Sequence, residues 1–202
     1  TIVKFKFMNS VNYLGNPNLK KANVPVDFTQ DQIQEYIKCS QDPIHFIKTY
    51  MKIVTVDEGL VDFNLWDFQE DMIRSFTDDR FVICKMPRQT GKSTTIIAFL
   101  LHYVLYNQDV RIGILANKGN TARELLGRLQ LAYEHLPLWL QQGVVEWNKG
   151  NIELENGSKI LASSTSSSAI RGGTFNIIFL DEFAFVPEHI ADEFFRSVYP
   201  TI

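Results

Sequence analysis

The chain has 202 residues, of which 45% are hydrophobic and 21% charged, and its formal net charge is −3 at pH 7. This ordinary globular composition provides enough chain for one sizeable hydrophobic core. The chain has no overall excess of positive charge, which counts against a stand-alone DNA-binding protein but leaves room for a local basic patch. The two cysteines, Cys39 and Cys84, form no disulfide framework, and the four histidines lack ligand spacing. We therefore expect an intracellular protein without structural zinc.

The first residues predict an extended arm that runs over the body of the protein. Asn, Pro and Gly cluster between Asn9 and Asn18, so residues 1–28 have no periodic apolar pattern. Residues 29–202 predict a single domain. Because the chain begins with Thr1 rather than Met, we expect it to be a fragment of a longer protein.

Short capping patterns predict the helices that follow the arm. Thr29 to Gln32 matches a capping box, and Asp42-Pro43 supplies an N-cap followed by proline at the first helical position. A third helix carries Gln69, and Phe68 and Met72 lie on its apolar stripe. An amide offers the donor and the acceptor that suit an adenine edge, although a lone glutamine on a helix is more often simply solvated.

The strongest motif lies between Arg80 and Thr95. The apolar run from Phe81 to Cys84 predicts a buried strand, and a turn, Gly-Lys-Ser and a long helix to about Asn107 follow it. This is the context of a P-loop, in which backbone N–H groups at a helix N-terminus bind phosphate, the lysine adds charge and the serine hydroxyl binds Mg²⁺. Met86 stands where the usual pattern has its first glycine, so the tripeptide alone could be a chance match. The predicted nucleotide-binding residues are Pro87, Arg88, Gln89, Thr90, Gly91, Lys92, Ser93 and Thr94.

A second motif supplies the carboxylates that an ATPase needs. Four consecutive apolar residues after Asn176 end in Asp181 and Glu182, which predicts a central parallel strand whose carboxyl end meets a ligand crevice. Asp181 would hold Mg²⁺ through water, and Glu182 would act as the general base toward the attacking water. The alternative is a strand that merely ends in charged residues.

The remaining pattern alternates between strands and helices. Val110 to Ala116 predicts a second buried strand, and Asn120 to Leu136 predicts a helix. Val144 to Ala162 has a period of two, and Asn156-Gly157 predicts a two-residue hairpin turn. Pro187 begins the last predicted helix. The whole predicts an α/β fold with a mostly parallel sheet flanked by helices and an inserted β-hairpin.

Several of these runs together resemble the large terminase subunit of tailed bacteriophages, and the T-even type closely. The similarity covers nearly the whole chain from Tyr13 onward. Terminases tolerate other residues at the position of Met86 and place an arginine in the loop. The matching runs are Gly15 to Asn23, the Gln69 helix, the P-loop with Arg88, Val145 to Gly150, Ile170 to Gly172, and Leu180 to Glu182 with Ala184 and Phe185.

The resemblance implies the ATPase motor of a DNA-packaging machine, a P-loop NTPase with an ASCE-type (RecA-like) core that uses ATP and Mg²⁺. It implies that Gln69 reads adenine, that Lys92 and Ser93 contact phosphate and metal, and that Arg88 senses the γ-phosphate. It also implies that Arg171 acts on the nucleotide of a neighbouring subunit.

The implied partners are double-stranded DNA, the portal protein, the small terminase subunit and further copies of the chain. The resemblance implies that these copies form a homo-oligomeric ring on the procapsid in the host cell cytoplasm. The isolated chain is expected to be a monomer, and no membrane partner is expected. In the family a lid subdomain and a nuclease domain follow, so we expect no nuclease activity from this fragment.

Two rival classes share some of these features. A superfamily-two helicase also has a glutamine before its P-loop, but it needs a second RecA domain for which this chain has no room. A nucleotide-gated assembly scaffold would bind ATP without ever hydrolysing it.

Overall fold

The computed structural model describes residues 11–55, 57–165 and 173–197. Within those ranges, no helix combines the length and the apolar character needed to cross a membrane. The helices are α1 (Gln30–Gln41), α2 (Pro43–Tyr50), α3 (Asp67–Asp78), α4 (Lys92–Tyr106), α5 (Gly119–Glu134) and α6 (Glu188–Ser197). The strands are β1 (Lys52–Thr55), β2 (Gly59–Asp62), β3 (Arg111–Ala116), β4 (Val144–Trp147), β5 (Asn151–Leu154), β6 (Lys159–Ser164) and β7 (Ile177–Asp181).

The main sheet has five strands in the order β4-β5-β6-β3-β7. Strand β3 pairs in parallel with both β6 and β7, whereas β4, β5 and β6 form an antiparallel meander. The strands predicted as an inserted hairpin therefore extend the main sheet. The predicted α/β class is confirmed.

Hydrophobic residues pack on both faces of this sheet. Side chains alternate along a strand, so Ile112 and Ile114 of β3 enter the large core beneath α4 and α5, while Leu115 enters a smaller cluster with Phe194 of α6. Helix α4 lies deep in the large core, where Leu101 is fully buried. The predicted flanking helices thus cover the sheet from both sides.

The predicted helix starts agree with the structure. The Thr29 hydroxyl accepts from the Gln32 N–H at 3.2 Å, and the Gln32 side chain accepts from the Thr29 N–H at 3.0 Å, which completes the capping box. The Asp42 carboxylate accepts from the His45 N–H at 3.0 Å, and Pro43 is the first residue of α2. Local hydrogen bonding sets these boundaries, and it could be read from the sequence.

The hairpin between β5 and β6 is confirmed, but its turn is longer than the two residues predicted. The Leu154 N–H donates to the Ser158 carbonyl, so three residues lie between this hydrogen-bonded pair. Gly157 adopts a φ of 80°, a left-handed conformation that glycine tolerates without steric cost. The Asn156 side chain accepts from the Ser158 N–H within the turn and also donates to the Val104 and Asn107 carbonyls at the end of α4.

The strand predicted from Phe81 to Cys84 is wrong. The segment is irregular, and Phe81, Val82 and Ile83 are 55%, 39% and 94% exposed. An apolar run becomes a strand only where an adjacent strand supplies hydrogen-bond partners, and the sheet formed by the described residues ends at β7. Because the Phe81–Cys84 segment does not pair with it, β7 is an edge strand of the described sheet, whereas a central strand was predicted.

The segment from Lys20 to Ala22 lies against the β4 edge of the sheet. Leu19 is 1% exposed and belongs to the large core. Lys21 forms a parallel bridge with Val144. Glu155 fixes this segment by accepting from the Lys20 ammonium at 2.8 Å and from the Asn23 N–H at 2.9 Å.

Candidate functional site

The two predicted motifs meet in space although they are far apart in the sequence. The Ser93 hydroxyl donates to Asp181 Oδ1 at 3.1 Å. Ser93 lies in the first turn of α4, and Asp181 is the last residue of β7. Asp181 is only 8% exposed, so its carboxylate faces the P-loop helix rather than open solvent.

The loop before α4 has the tight conformation that phosphate binding requires. Gln89 and Gly91 have φ values of 63° and 74°, both left-handed. The Thr90 hydroxyl donates to the Pro87 carbonyl at 3.1 Å and closes the turn. The Thr95 N–H and hydroxyl both donate to the Gly91 carbonyl, at 2.9 and 3.1 Å, which fixes the junction between loop and helix.

The N-terminus of α4 is built to receive an anion. The first intrahelical bond is donated by Thr95, so the N–H groups of Lys92, Ser93 and Thr94 have no partner within the helix. Gly91 is the N-cap and has no side chain that could accept from them. The positive end of the helix dipole and the Lys92 ammonium add to the attraction for phosphate.

Gln69 lies beneath the loop rather than on the surface. Its Nε2 donates to the Thr90 carbonyl at 3.2 Å, and its Oε1 accepts from the Trp66 N–H at 3.0 Å. The side chain is 2% exposed, so an adenine base could reach it only after a local movement. A Cβ added to Gly91 would lie 2.7 Å from Gln69 Nε2, which shows how closely the loop approaches this amide.

Glu182 follows Asp181 directly and has a distinctive backbone. Its φ of 50° and ψ of 39° place it in the left-handed region, and its side chain is exposed. Such a conformation costs about 1–3 kcal/mol in a non-glycine residue, and residues strained in this way cluster at functional sites. The bend separates the two adjacent carboxylates, leaving one against the P-loop and the other accessible to water.

The charged loop residues differ in their surroundings. Arg88 is exposed, whereas Lys92 is half-buried. The half-buried Cys84 lies close enough to Lys92 to feel its charge. Burial raises the pKa of the Cys84 thiol, and the positive charge of Lys92 opposes that rise in pKa. Arg171 lies outside the described residues.

Two further residues that were not predicted adjoin the predicted site residues. Thr95 holds the Gly91 carbonyl, as described above. Trp66 is 70% exposed at the N-cap of α3, three positions before Gln69. The signal for Trp66 was an aromatic residue at the start of a helix that already carried a candidate base-reading residue.

A family model matches more than half of the chain. The family model described as "Terminase large subunit, T4likevirus-type, N-terminal" matches residues 83–197, which include both motifs. A curated relative, tripartite terminase subunit 3 of equine herpesvirus 1 (strain Ab4p), is 27% identical over 135 residues. That alignment covers 63% of this chain and 18% of the relative, and the protein of strain V592 matches equally. The chain thus spans about a fifth of these relatives.

Solved structures share the fold. The crystal structure of the HK97 bacteriophage large terminase has a TM-score of 0.62 and 19% identity, covering 78% of this chain and 34% of that one. The ATPase domain of the Thermus phage P74-26 large terminase has a TM-score of 0.52 and 18% identity, covering 69% of this chain and 60% of that one. The predicted P-loop ASCE fold is confirmed, and so is the resemblance to terminases.

Proposed function

Because the chain belongs to the T4likevirus-type large terminase subunit family, as part of its N-terminal region, we propose that it is the ATPase motor domain of a viral DNA-packaging machine. The observation that carries this proposal is the 3.1 Å contact between Ser93 Oγ and Asp181 Oδ1. It joins a phosphate-binding helix N-terminus to a buried carboxylate, the pair of groups between which P-loop NTPases hold their metal ion.

The residues fit Mg²⁺ and the phosphates of ATP. Mg²⁺ prefers oxygen ligands and keeps several waters, and the Ser93 hydroxyl and the Asp181 carboxylate are oxygen donors that already touch. When bound, the ion would neutralise charge on the β- and γ-phosphates. The Lys92 ammonium and the N–H groups of the first α4 turn, including that of Thr94, would hold the phosphate oxygens together with the loop N–H groups of Gln89 and Thr90. Pro87 has no N–H and would shape the loop, since its carbonyl accepts from the Thr90 hydroxyl.

Glu182 is the proposed general base. Its carboxylate would accept a proton from the attacking water as the water oxygen bonds to the γ-phosphorus and the bond to the ADP oxygen breaks. The products are ADP and inorganic phosphate. Its exposed position next to the buried Asp181 suits this division of labour. Arg88 would stabilise charge on the γ-phosphate from the loop.

Base recognition would involve the N-terminus of α3. The bond to Thr90 leaves one N–H on Nε2 free of that contact, and the bond from Trp66 leaves one lone pair on Oε1. One donor and one acceptor are what an adenine edge requires. The burial of this amide means that reading the base would accompany a movement of the loop. Trp66 offers an exposed aromatic face on which a base could stack.

The wider assignment follows from the family. We infer that the protein acts on double-stranded DNA with the portal protein and the small terminase subunit, as a homo-oligomeric ring on the procapsid in the host cell cytoplasm. Arg171 would reach the nucleotide of a neighbouring subunit in that ring.

ATP turnover separates this function from the rival scaffold. We expect Mg²⁺-dependent release of phosphate by the wild-type chain, and its loss in Glu182→Gln. Double-stranded DNA and full-length neighbouring subunits would be added in parallel reactions. ATP binding without turnover in any of these mixtures would favour the nucleotide-gated scaffold.

A further inference from the structure

A second group of metal-binding side-chain types lies where α1 meets α2, away from the P-loop. Glu35 and Cys39 are four residues apart on one face of α1, and His45 is the third residue of α2. One ligand atom from each of the three lies within 4.8 Å of the others. The histidines have no ligand spacing in the sequence, so only the fold brings this set together.

One ligand separation matches that of a tetrahedral zinc site, a second is shorter, and the third is below 4.8 Å. Zinc bonds of about 2.0–2.3 Å to nitrogen, oxygen and sulfur place the ligand atoms about 3.3–3.8 Å apart. Cys39 Sγ is 3.6 Å from Glu35 Oε1, which already fits. Glu35 Oε1 and His45 Nε2 are 2.7 Å apart, so an ion would separate them by roughly half an ångström.

One carboxylate oxygen is the centre of this group. Glu35 Oε1 faces His45 Nε2 at 2.7 Å, the Cys39 thiol at 3.6 Å and the Tyr50 hydroxyl at 3.3 Å. A cation would take the place of the protons that His45 and Cys39 direct at this oxygen. Tyr50 would remain as the hydrogen bond that orients the carboxylate, a role that outer-shell groups commonly have in metal sites.

The surroundings of Cys39 contain an unused donor. The Tyr106 hydroxyl is buried beside the Cys39 thiol, to whose thiolate form it could donate, but within the described chain it has no partner at ordinary hydrogen-bond geometry. A buried hydroxyl without a partner is costly, and a metal-bound thiolate would be a good acceptor for it. Binding of an ion would therefore satisfy a polar group that the metal-free cluster leaves unsatisfied.

The cluster is also accessible from solvent. The side chains of His45 and Glu35 are 20% and 28% exposed, whereas Cys39 is fully buried. An ion could enter from the side of the histidine and carboxylate, and a water molecule could complete its coordination there.

We propose that Glu35, Cys39 and His45 bind a divalent transition metal ion, with Zn²⁺ as the ion that this sulfur, nitrogen and oxygen set suits best. Solvent supplies the fourth ligand. The ion joins α1 to α2, which packs against α4, the helix that follows the P-loop. The alternative is a hydrogen-bonded cluster that joins the same helices and binds no ion.

Cobalt provides the direct test because Co²⁺ bound to thiolate has a near-ultraviolet charge-transfer band that an oxygen-only site lacks. The full chain, freed of metal with a chelator, is titrated with Co²⁺ and then with Zn²⁺. We expect one equivalent of thiolate-bound Co²⁺ per chain, displaced by Zn²⁺. Any Co²⁺ held by Ser93 and Asp181 would contribute no such band, so this result is independent of the proposed ATPase function.

Variants identify the ligands. Cys39→Ser should abolish the charge-transfer band, and His45→Ala and Glu35→Gln should weaken binding by at least about 10-fold. Cys84→Ser and His135→Ala are the matched controls and should bind like the wild type. Circular dichroism checks that each variant is folded. If Cys39→Ser does not fold, the more exposed His45 and Glu35 positions still decide the matter. The absence of a stoichiometric thiolate band in the wild type, or unchanged binding in both folded variants, would overturn the proposal.

Discussion

At the scale of single residues, the proposed Mg²⁺ site depends on the hydroxyl of Ser93. This hydroxyl donates a hydrogen bond to Asp181 at 3.1 Å, and the neighbouring Thr94 has a second hydroxyl in the same helical turn. If Ser93 binds the metal through oxygen, Ser93→Ala should raise the Mg²⁺ concentration needed for half-maximal ATP binding by at least about 10-fold. Ser93→Thr, which keeps a hydroxyl, should need nearly the same Mg²⁺ concentration as the wild type.

The matched control is Thr94→Ala. Thr94 is proposed to contribute only its backbone N–H, so removing its hydroxyl should leave the Mg²⁺ dependence nearly unchanged. Binding of a fluorescent ATP analogue measured across a Mg²⁺ titration checks both variants. Equal shifts in the two would contradict the specific role of Ser93.

Gln69 has two separable roles that one variant can distinguish. Removing its amide in Gln69→Ala releases the Thr90 carbonyl and should weaken the binding of every nucleotide, because the loop loses a support. If the amide also reads adenine, affinity for ATP should fall further than affinity for GTP, whose base has the reversed donor and acceptor pattern. Dissociation constants for both nucleotides test this. An unchanged ratio would leave Gln69 with the loop-supporting role alone.

The burial of Gln69 also shows what residue-level reasoning from the sequence could not supply. The types and order of Lys92, Ser93, Asp181 and Glu182 are local patterns tied to known chemistry, so these residues could be named in advance. The hydrogen bond from Gln69 to the Thr90 carbonyl depends on how α3 packs under a loop some twenty residues away, and no local pattern encodes that.

At the level of elements, a carboxylate joins the N-terminal segment to the main sheet. Glu155 accepts from the Lys20 ammonium, the Asn23 N–H and the Gly143 N–H at 2.6–2.9 Å. Burial raises the pKa of the Glu155 carboxyl, but these three donors outweigh it and hold the pKa below its usual value of 4.5. A depressed pKa in the folded state adds stability above the unfolded pKa and loses it as the pH falls through the folded one.

Glu155→Gln should therefore lower the free energy of unfolding by about 1 kcal/mol at pH 7. The difference from the wild type should shrink as the pH falls below 4.5, because protonation removes the same charge from the wild-type side chain. Urea unfolding at several pH values measures it. Glu153→Gln is the control, since its ion pair with the 43% exposed Lys159 contributes little. A difference that grows toward low pH would contradict this account.

Elements defined by local hydrogen bonding were predictable, and those defined by distant partners were not. The capping box at Thr29 and the proline after Asp42 fix the starts of α1 and α2 by contacts within three residues. The run from Phe81 to Cys84 has the composition of a strand, but none of the strands in the described part of the chain pairs with it. The small β1-β2 sheet was missed because each strand has only four residues, all of them exposed or half-buried, and so shows no buried face in the sequence.

At the level of the whole molecule, the central question is whether active sites are completed by neighbouring subunits. Arg171 precedes Gly172 and Gly173 and follows a serine-rich segment in the sequence. An arginine supplied across a subunit boundary can raise the rate of phosphoryl transfer by ~10³–10⁵. The alternative is a surface arginine that pairs with a nearby carboxylate of its own subunit.

Mixed rings of the full-length protein distinguish these alternatives. Arg171→Ala subunits should be inactive alone and should inhibit wild-type rings in which they are incorporated. Combined with Glu182→Gln subunits, they should recover part of the ATPase activity, because each variant supplies what its neighbour lacks. If assembled mixed rings recover no activity, Arg171 either acts on the nucleotide of its own subunit or has only a structural role.

The most direct test of the ATPase assignment compares Lys92→Ala with Glu182→Gln. Lys92 is proposed to bind phosphate in the ground state, whereas Glu182 is proposed to act only in the chemical step. ATP affinity in the presence of Mg²⁺ and single-turnover hydrolysis should be measured for both variants and the wild type. The account predicts that Lys92→Ala loses ATP binding, while Glu182→Gln binds ATP as the wild type does and hydrolyses none of it. Equal loss of ATP affinity in both variants, or hydrolysis that survives in Glu182→Gln, would contradict it.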